Sequence, residues 1–146
     1  MPSPRIFWRV EDEHSRARTT ESNGIQVAAY TDVDFGQMSA ELRECLARHL
    51  DWSDRTRSPF ISAYSDEEAA YREADRRRRR GKRDVTITEI NIEEMPYGTV
   101  QYRNVRNLAK NLNLWIEEEA WNNSLYEYVF LRQIPEDAIA RVISYD

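Results

Sequence analysis

Residues 126–130 read YEYVF and place one acidic side chain, Glu127, inside an apolar run that is typical of a β-strand. Two other segments repeat the arrangement, since FWRV contains Arg9 and PFIS contains Ser62. A buried strand normally excludes arginine and glutamate, because an unpaired charge away from water is costly. We therefore predict that Arg9, Ser62 and Glu127 converge on one shared cleft.

The composition is that of a globular chain with a strongly charged surface, since 32% of the 146 residues are charged and 40% are apolar. The length predicts one domain over residues 1–146, large enough to bury a core. No apolar run approaches the ~20 residues of a membrane-spanning helix, and residues 1–5 lack the apolar core of a secretory signal. We therefore expect a cytoplasmic protein that does not associate with membranes.

The cysteine and histidine content argues against a metal site. Cys45 is the single cysteine, so it can form neither an internal disulfide nor a cysteine-only zinc site, and we expect a small core side chain. His14 and His49 lack ligand-type spacing, and we expect His49 to cap or line the end of its helix. No Gly-x-Ser-x-Gly motif surrounds Ser62, and nothing in the local sequence supports a Ser-His-Asp triad.

Basic residues are unevenly distributed in this acidic chain, whose net charge of -5 argues against general affinity for nucleic acids. Arginines fill positions 76–80, and Lys82 and Arg83 extend the run. One interpretation is a solvated helix face. The other is a surface at Arg76–Arg83 for an anionic partner, because arginine favours bidentate contacts with phosphate or carboxylate.

Strands and helices mix without strict βαβ alternation, which predicts an α+β fold. The apolar periodicity predicts strands at residues 5–10, 25–30, 60–64, 85–92, 126–131 and 139–143. Helices are predicted from the N-cap Ser39 to residue 50, from a capping box of Ser65 and Glu68 to Gly81, and over residues 105–112. A change of alternation predicts a β-bulge near Glu89, and residues 116–125 are predicted to form a polar loop.

Each of the three polar side chains has a chemical interpretation and a plainer one. A carboxylate at Glu127 could stabilise a cationic transition state, or it could pair with an arginine at the sheet surface. Arg9 could clamp a phosphate, or it could face solvent or form an ion pair with Glu11 or Asp12. Ser62 could orient a carboxylate or a ribose, or it could bond only the backbone.

The three segments, in this order, resemble those of the ADP-ribosyltransferase superfamily, in its enterotoxin-like arginine–serine–glutamate class. IFWRV at residues 6–10 is similar to the first strand of that class, and FISAYS at residues 60–65 to its aromatic-apolar-Ser-Thr-Ser segment. EYVFLRQIPEDAI at residues 127–139 is similar to its late glutamate strand and Pro-containing turn. The chain also resembles an uncharacterised fungal domain of this type, through HLDW at residues 49–52 and WNNS at residues 121–124.

The resemblance implies split mixed or antiparallel β-sheets with flanking helices, and ADP-ribosyl transfer or NAD glycohydrolysis with NAD as substrate and no metal. Arg9 would hold the phosphates or the nearby ribose, and Ser62 would orient Glu127. Glu127 would hydrogen-bond the ribose 2′-hydroxyl and stabilise the oxocarbenium ion as nicotinamide leaves. Tyr64 or Phe60 would offer a stacking surface. The residues that would contact NAD are Arg9, Val10, Phe60, Ser62 and Tyr64.

Two positions depart from the pattern of the class. Residues 62–64 read Ser-Ala-Tyr where the class tends to have Ser-Thr-Ser, and Leu125 lies two positions before Glu127, where the class usually carries Glu or Gln. The loop at residues 116–125 would face the acceptor, yet leucine exchanges no proton. Transfer to a protein or nucleic-acid acceptor, hydrolysis of NAD and a silent NAD pocket therefore stay open.

Three functional hypotheses follow from the sequence. The first is an NAD-dependent ADP-ribosyltransferase or NAD glycohydrolase. The second is a non-catalytic interaction module that keeps the same fold. The third is an arginine-rich domain that contacts RNA or DNA through Arg76–Arg83.

Overall fold

A computed structural model describes residues 4–20, 23–29, 31–51 and 58–145 of the chain. The strands are β1 (Ile6–Glu11), β2 (Thr19–Thr20), β3 (Gly24–Gln26), β4 (Phe60–Tyr64), β5 (Thr86–Asn91), β6 (Tyr102–Asn104), β7 (Glu127–Leu131), β8 (Gln133–Ile134) and β9 (Ile139–Ser144). The helices are α1 (Ala40–Leu50), α2 (Glu67–Arg79), α3 (Val105–Asn111) and α4 (Glu118–Ser124), with a 3₁₀ turn over Glu136–Ala138. This mixture confirms the predicted α+β class.

The strands form two antiparallel sheets. The larger sheet has the order β6-β7-β4-β1-β5-β9, and the smaller one has the order β2-β3-β8. β1 pairs with β5 along its whole length, whereas β1 and β4 share a single register pair, Trp8 with Tyr64. The hydrogen-bonded ladder is therefore shortest at the centre of the larger sheet, between the strands that carry Arg9 and Ser62.

Helices cover one face of the larger sheet and the smaller sheet covers the other. On the first face, β4 and β7 pack with α1 and α3 in one apolar cluster, and β1, β4 and β5 pack with α2 in another. On the second face, Phe7 and Phe130 of the larger sheet pack with Ile25 and Ile134 of the smaller one. Because side chains alternate along a strand, Ser62, Tyr64 and Glu127 belong to the helix-covered face.

Several sequence predictions are confirmed. The Ser39 hydroxyl caps α1 by accepting a hydrogen bond from the backbone N–H of Leu42 at 3.1 Å. Gly81 lies directly after the end of α2 with a φ of 82°, as expected for a helix C-terminus. The pairing of β5 with β9 shifts register between Glu89 and Ile90, where the bulge was expected.

Three local predictions are wrong. The N-cap of α2 is Asp66, whose carboxylate accepts from the backbone N–H of Ala69 at 3.1 Å, and not Ser65. The segment 116–125 is not a polar loop, because α4 occupies most of it and buries Ala120. Of the described residues 25–29 in the strand predicted at residues 25–30, only Ile25 and Gln26 belong to a strand, β3.

Two predicted features lie partly outside the described residues: the strand at residues 25–30, which includes Tyr30, and the HLDW segment, which includes Trp52. Cys45 packs partly buried against the apolar cluster under α1, as a small core side chain does. Within the described ranges, no helix combines the length and the apolar character needed to cross a membrane.

The backbone of β3 approaches the start of the 3₁₀ turn closely at Gly24. It has a φ of 64°, and a Cβ there would lie 2.0 Å from the carbonyl oxygen of Ile134 and 2.7 Å from the backbone nitrogen of Glu136. Gly81 also has positive φ, but nothing lies within 4 Å of its Cβ position. Gly81→Ala should cost only the backbone strain of about 1–2 kcal/mol, and Gly24→Ala at least about 2 kcal/mol more. Denaturant unfolding measures both; equal losses would contradict the close approach.

Candidate functional site

Glu127 opens β7 at the edge of the helix-covered face. It lies opposite Tyr64 in the β4–β7 register, and its side chain is half-buried. The Ser62 hydroxyl donates a hydrogen bond of 2.9 Å to Glu127 Oε2. Among the described residues, no hydrogen bond reaches Glu127 Oε1, so one carboxylate oxygen remains able to accept a bond from a ligand.

Arg9 joins the site through the backbone of Ser62. It is only 7% exposed, and its NH1 donates to the carbonyl oxygen of Ser62 at 2.8 Å. Its Nε donates to Glu11 Oε2 at 2.9 Å, and its NH2 donates to the carbonyl oxygen of Ala17 at 2.5 Å. The ion pair with Glu11, which the sequence left open as an alternative, is therefore formed, and these bonds use three of the five guanidinium N–H groups.

Glu11 fixes the far side of this ion pair. It is buried, and it accepts hydrogen bonds from the Thr19 backbone N–H at 3.0 Å and from the Thr19 hydroxyl at 2.7 Å. Burial lowers the pKa of the Arg9 guanidinium, and the negative charge of Glu11 acts against that shift. The guanidinium remains charged, because an arginine does not lose its proton in proteins.

His49 was not predicted to be part of the site, yet it contacts Ser62. Its Nε2 lies 2.5 Å from Ser62 Oγ, and its Nδ1 lies 2.5 Å from Ser58 Oγ. The ring packs edge-on against Phe60 at a centroid distance of 5.5 Å. His49 therefore does lie in the last turn of α1, as expected, but it points into the sheet rather than capping the helix.

The proton positions in the hydrogen bonds that link Ser58, His49, Ser62 and Glu127 can be assigned by counting donors and acceptors. When Glu127 is ionised, the single hydroxyl proton of Ser62 is directed to it, so His49 Nε2 carries a proton and donates to Ser62 Oγ. Nδ1 is then unprotonated and accepts from Ser58. Burial lowers the pKa of His49 from 6.5 to about 4, and the charge of Arg9 lowers it further in the same direction. The imidazole is therefore neutral at pH 7 and holds the Ser62 hydroxyl toward the carboxylate.

A cluster of ion pairs, in which acidic and basic charges balance, joins α2 to the end of β1 close to the site. Glu73 is buried and accepts from Arg76 Nε and Arg77 Nε, each at 2.8 Å. Arg77 NH1 also donates to Asp12 Oδ2 at 3.1 Å. Burial by itself raises the pKa of Glu73, but the hydrogen bond from Arg76 and the charge of Arg77 outweigh it, so this pKa is lowered. Glu73 consequently adds a fixed negative charge near the site.

The environment makes Glu127 a weak acid that titrates near neutrality. Burial raises the pKa of Glu127 from 4.5 to about 7, the hydrogen bond from Ser62 opposes the shift, and the negative charge of Glu73 adds to it. Burial, followed by the charge of Glu127, raises the pKa of Tyr64 well above 10. A carboxyl group whose pKa is shifted toward neutrality is a common property of catalytic acids and bases.

The remaining predicted residues lie around this centre. Val10 is buried under α2, and its carbonyl oxygen accepts from Arg77 NH1 at 3.3 Å. Phe60 is buried and stacks on Phe35 at 6.1 Å, so its ring is covered by protein. Tyr64 is also buried and lies directly beside Glu127. Leu125 is 48% exposed at the C-cap of α4.

Ser62 and Glu127 are hydrogen-bonded to each other. Arg9 reaches this pair only through the backbone carbonyl oxygen of Ser62, because alternation along β1 places its side chain with Phe7 on the side of the smaller sheet. The shared cleft and the roles of the three residues remain predictions. Sequence reasoning missed His49 and Glu73. His49 begins the HLDW word, but nothing in that word shows which strand the ring will reach. Across the described ranges, no group of three or more His, Cys, Asp or Glu side chains is arranged to hold a metal ion.

The raised pKa of Glu127 predicts a stability that depends on pH. The folded state binds the Glu127 proton more tightly than the unfolded state, so its contribution is complete below pH 4.5 and is lost as the pH rises through about 7. Glu127→Gln should therefore raise the free energy of unfolding by about 1–3 kcal/mol near pH 8. Below pH 4.5 the same substitution should change the free energy of unfolding little. Urea unfolding at both pH values checks this, and a gain of equal size at both would contradict it.

Ser62 should hold down the pKa of Glu127, because its hydrogen bond favours the ionised carboxylate. Ser62→Ala is expected to raise this pKa by about one unit. The measurement is a ¹³C NMR titration of the glutamate carboxyl groups, with the Glu127→Gln spectrum for assignment. Ser65→Ala is the matched control, because the Ser65 hydroxyl bonds the carbonyl oxygen of Tyr126 instead. An unchanged titration in Ser62→Ala would show that the hydroxyl does not act on Glu127.

Comparisons with known proteins agree with this architecture. A solved structure named EcPltA, PltA being an ADP-ribosyltransferase subunit of typhoid toxin, superimposes with a TM-score of 0.62 at 11% sequence identity. The alignment covers 97% of this chain and 76% of that one. At this identity the similarity shows the fold alone, and the fold is ADP-ribosyltransferase-like.

Sequence comparison gives a family but no characterised relative. No curated protein matches the chain. A family model described as a domain of unknown function, DUF7587, matches residues 2–146. Because that match spans nearly the entire sequence, the chain belongs to the DUF7587 family.

Proposed function

We propose that this protein acts on NAD, as an ADP-ribosyltransferase or an NAD glycohydrolase, with Glu127 as its catalytic carboxylate. The observation that carries the proposal is the state of Glu127. The carboxylate is half-buried, oriented by Ser62 through Oε2 and open to a hydrogen bond at Oε1. It lies on a fold that is ADP-ribosyltransferase-like.

The residues present fit a nucleoside substrate. Glu127 Oε1 can accept a hydrogen bond from a ribose hydroxyl, and Tyr64 lies on the adjacent strand at the same level. NAD, when bound, supplies a ribosyl group joined to a good leaving group, nicotinamide. Arg9 contributes positive charge beside Ser62 and would bind the phosphates or the ribose through the N–H groups that its internal bonds leave over.

Each of the hydrogen-bonded residues of the site has a defined task in this proposal. Ionised Glu127 stabilises positive charge that develops on the ribose when the bond to nicotinamide weakens. Ser62 keeps the carboxylate in place, and neutral His49 keeps the Ser62 hydroxyl pointing at it. Arg9 fixes the backbone from which Ser62 projects. Positioning of this kind matters because small errors in geometry weaken transition-state stabilisation.

The acceptor side of the site favours water or an acceptor that needs no base from this chain. Leu125 precedes Glu127 by two positions and is exposed. It can neither take nor deliver a proton, so a guanidinium acceptor would find no carboxylate at that position to deprotonate it. We therefore place hydrolysis of NAD ahead of transfer to arginine.

A second function, a silent module with the same fold, has one observation in its favour. The Arg9 guanidinium is turned inward and is held by Glu11, Ala17 and Ser62. An arginine with this many internal partners stabilises the fold even when no dinucleotide is bound. In this alternative, Glu127 would have no catalytic role.

NAD consumption with release of nicotinamide separates the two functions. Glu127→Gln keeps the size of the side chain but removes its charge, and it should lower kcat by at least about 100-fold. Glu118→Gln, at an exposed position of α4, is the matched control and should retain activity. Because the carboxylate must be ionised, wild-type kcat/KM should rise with pH and level off above about 7.

The silent module has its own expected result. The wild-type protein would then release no nicotinamide, and NAD would leave its melting temperature unchanged. Turnover that survives Glu127→Gln would equally contradict the assignment of Glu127.

A further inference from the structure

We propose that the corner between α2 and β5 binds the backbone of single-stranded nucleic acid, a function beyond the proposed chemistry on NAD. The surface joins two segments that are distant in the sequence. The backbone N–H of Glu13 donates to the carbonyl oxygen of Arg83 at 3.0 Å, and the N–H of Arg83 donates to Glu13 Oε1 at 3.1 Å. These bonds hold the loop that carries Arg16 and Arg18 beside the end of the arginine run.

The structure divides the arginine run into an internal and an external part. Arg76 and Arg77 bind Glu73, and Arg77 also binds Asp12, so both contribute to the buried cluster behind the candidate site. Arg79 pairs with Asp75 at 3.3 Å. What remains at the surface is a set of six cations, named here the basic corner, which comprises Arg16, Arg18, Arg78, Arg80, Lys82 and Arg83.

The basic corner carries positive charge that the fold itself does not neutralise. Within the described part of the chain, its six side chains form no ion pair at 4.0 Å or closer. Its acidic neighbours in the sequence are Asp84, which adjoins Arg83, and Glu13, Glu21 and Asp75, each three positions from a cation of the corner, so cations outnumber these acids by six to four. In a chain of net charge -5, such a local excess repels itself in the free protein and is relieved by an anionic partner.

An aromatic groove beside the basic corner indicates the kind of anion. The Arg78 guanidinium lies over the Tyr145 ring at 5.5 Å, and the Tyr145 and Tyr71 rings are 5.5 Å apart. These two tyrosines line an open groove of about 620 Å³. Three acids line the groove, and two of them are paired, Asp75 with Arg79 and Glu68 with Arg72. Glu67, the third, forms no ion pair within the described ranges, so the groove would receive a base while the phosphates lie at the basic corner.

Cationic side chains next to an aromatic surface suit a single strand, whose phosphates meet the cations while a base stacks on a ring. An acidic peptide would use the arginines but would gain nothing from the tyrosines. The observations therefore favour nucleic acid, and they limit the contact to a few phosphates.

The test is fluorescence anisotropy with a labelled oligouridine RNA of about 12 nucleotides, without NAD, so its outcome is independent of the proposed enzymatic function. Wild type should bind with a slope of log K against log salt of about -2 to -3 between about 50 and 200 mM, since each phosphate contributes about -0.7. The corner variant combines four substitutions: Arg78→Gln, Arg80→Gln, Lys82→Gln and Arg83→Gln. It should bind at least about tenfold more weakly and with a flatter slope.

A control variant removes the same number of charges elsewhere, through Arg48→Gln, Lys110→Gln, Arg132→Gln and Arg141→Gln. It should bind within about twofold of wild type. If the corner variant does not fold, Arg16→Gln with Arg18→Gln changes only exposed loop side chains and should weaken binding several-fold. Absence of wild-type binding, equal losses in corner and control variants, or tighter binding of polyglutamate than of RNA would each overturn the proposal.

Discussion

A buried arginine links the two central strands of the larger sheet where their hydrogen-bonded ladder is shortest. β1 and β4 pair at a single position, and Arg9 adds a second link by donating to the carbonyl oxygen of Ser62. Glu11 balances the charge of Arg9 away from water. Loss of one partner of such a buried pair typically costs about 3–5 kcal/mol, because the other charge is left uncompensated. The backbone position of Ser62, and through it the orientation of Glu127, therefore depends on Arg9.

The packing of helices α1 and α2 on the larger sheet sets the protonation states of His49 and Glu127. Burial is the main cause that disfavours a negative charge at Glu127, and helix α2 adds to this effect by bringing the charge of Glu73 close. Helix α1 brings His49 to the same place as a neutral ring. Ser62 lies between His49 and Glu127 and is hydrogen-bonded to both. A carboxyl group that titrates near pH 7 is thus a product of two helices packing on one pair of strands, and of no single segment.

The sequence predicted what local patterns encode and missed what only packing creates. Arg9, Ser62 and Glu127 could be chosen as candidates because a polar side chain interrupts an apolar strand, and the structure shows the hydrogen bond between Ser62 and Glu127. His49 could not, because its contact with Ser62 requires the placement of α1 against β4. The capping residue of α2 was misplaced by one position because Ser65 and Asp66 are both good N-caps. Helix α4 was missed because its N-cap forms no side-chain capping bond and its residues are mainly polar.

The most direct test of the central claim, that Arg9, Ser62 and Glu127 form one NAD site, is a crystal structure of the Glu127→Gln protein with NAD. The account predicts a ribose hydroxyl of NAD within about 3 Å of the side chain at position 127, beside Tyr64 and Ser62. NAD bound on another face of the molecule, or a closed cleft that admits no ribose when NAD is in excess, would contradict it.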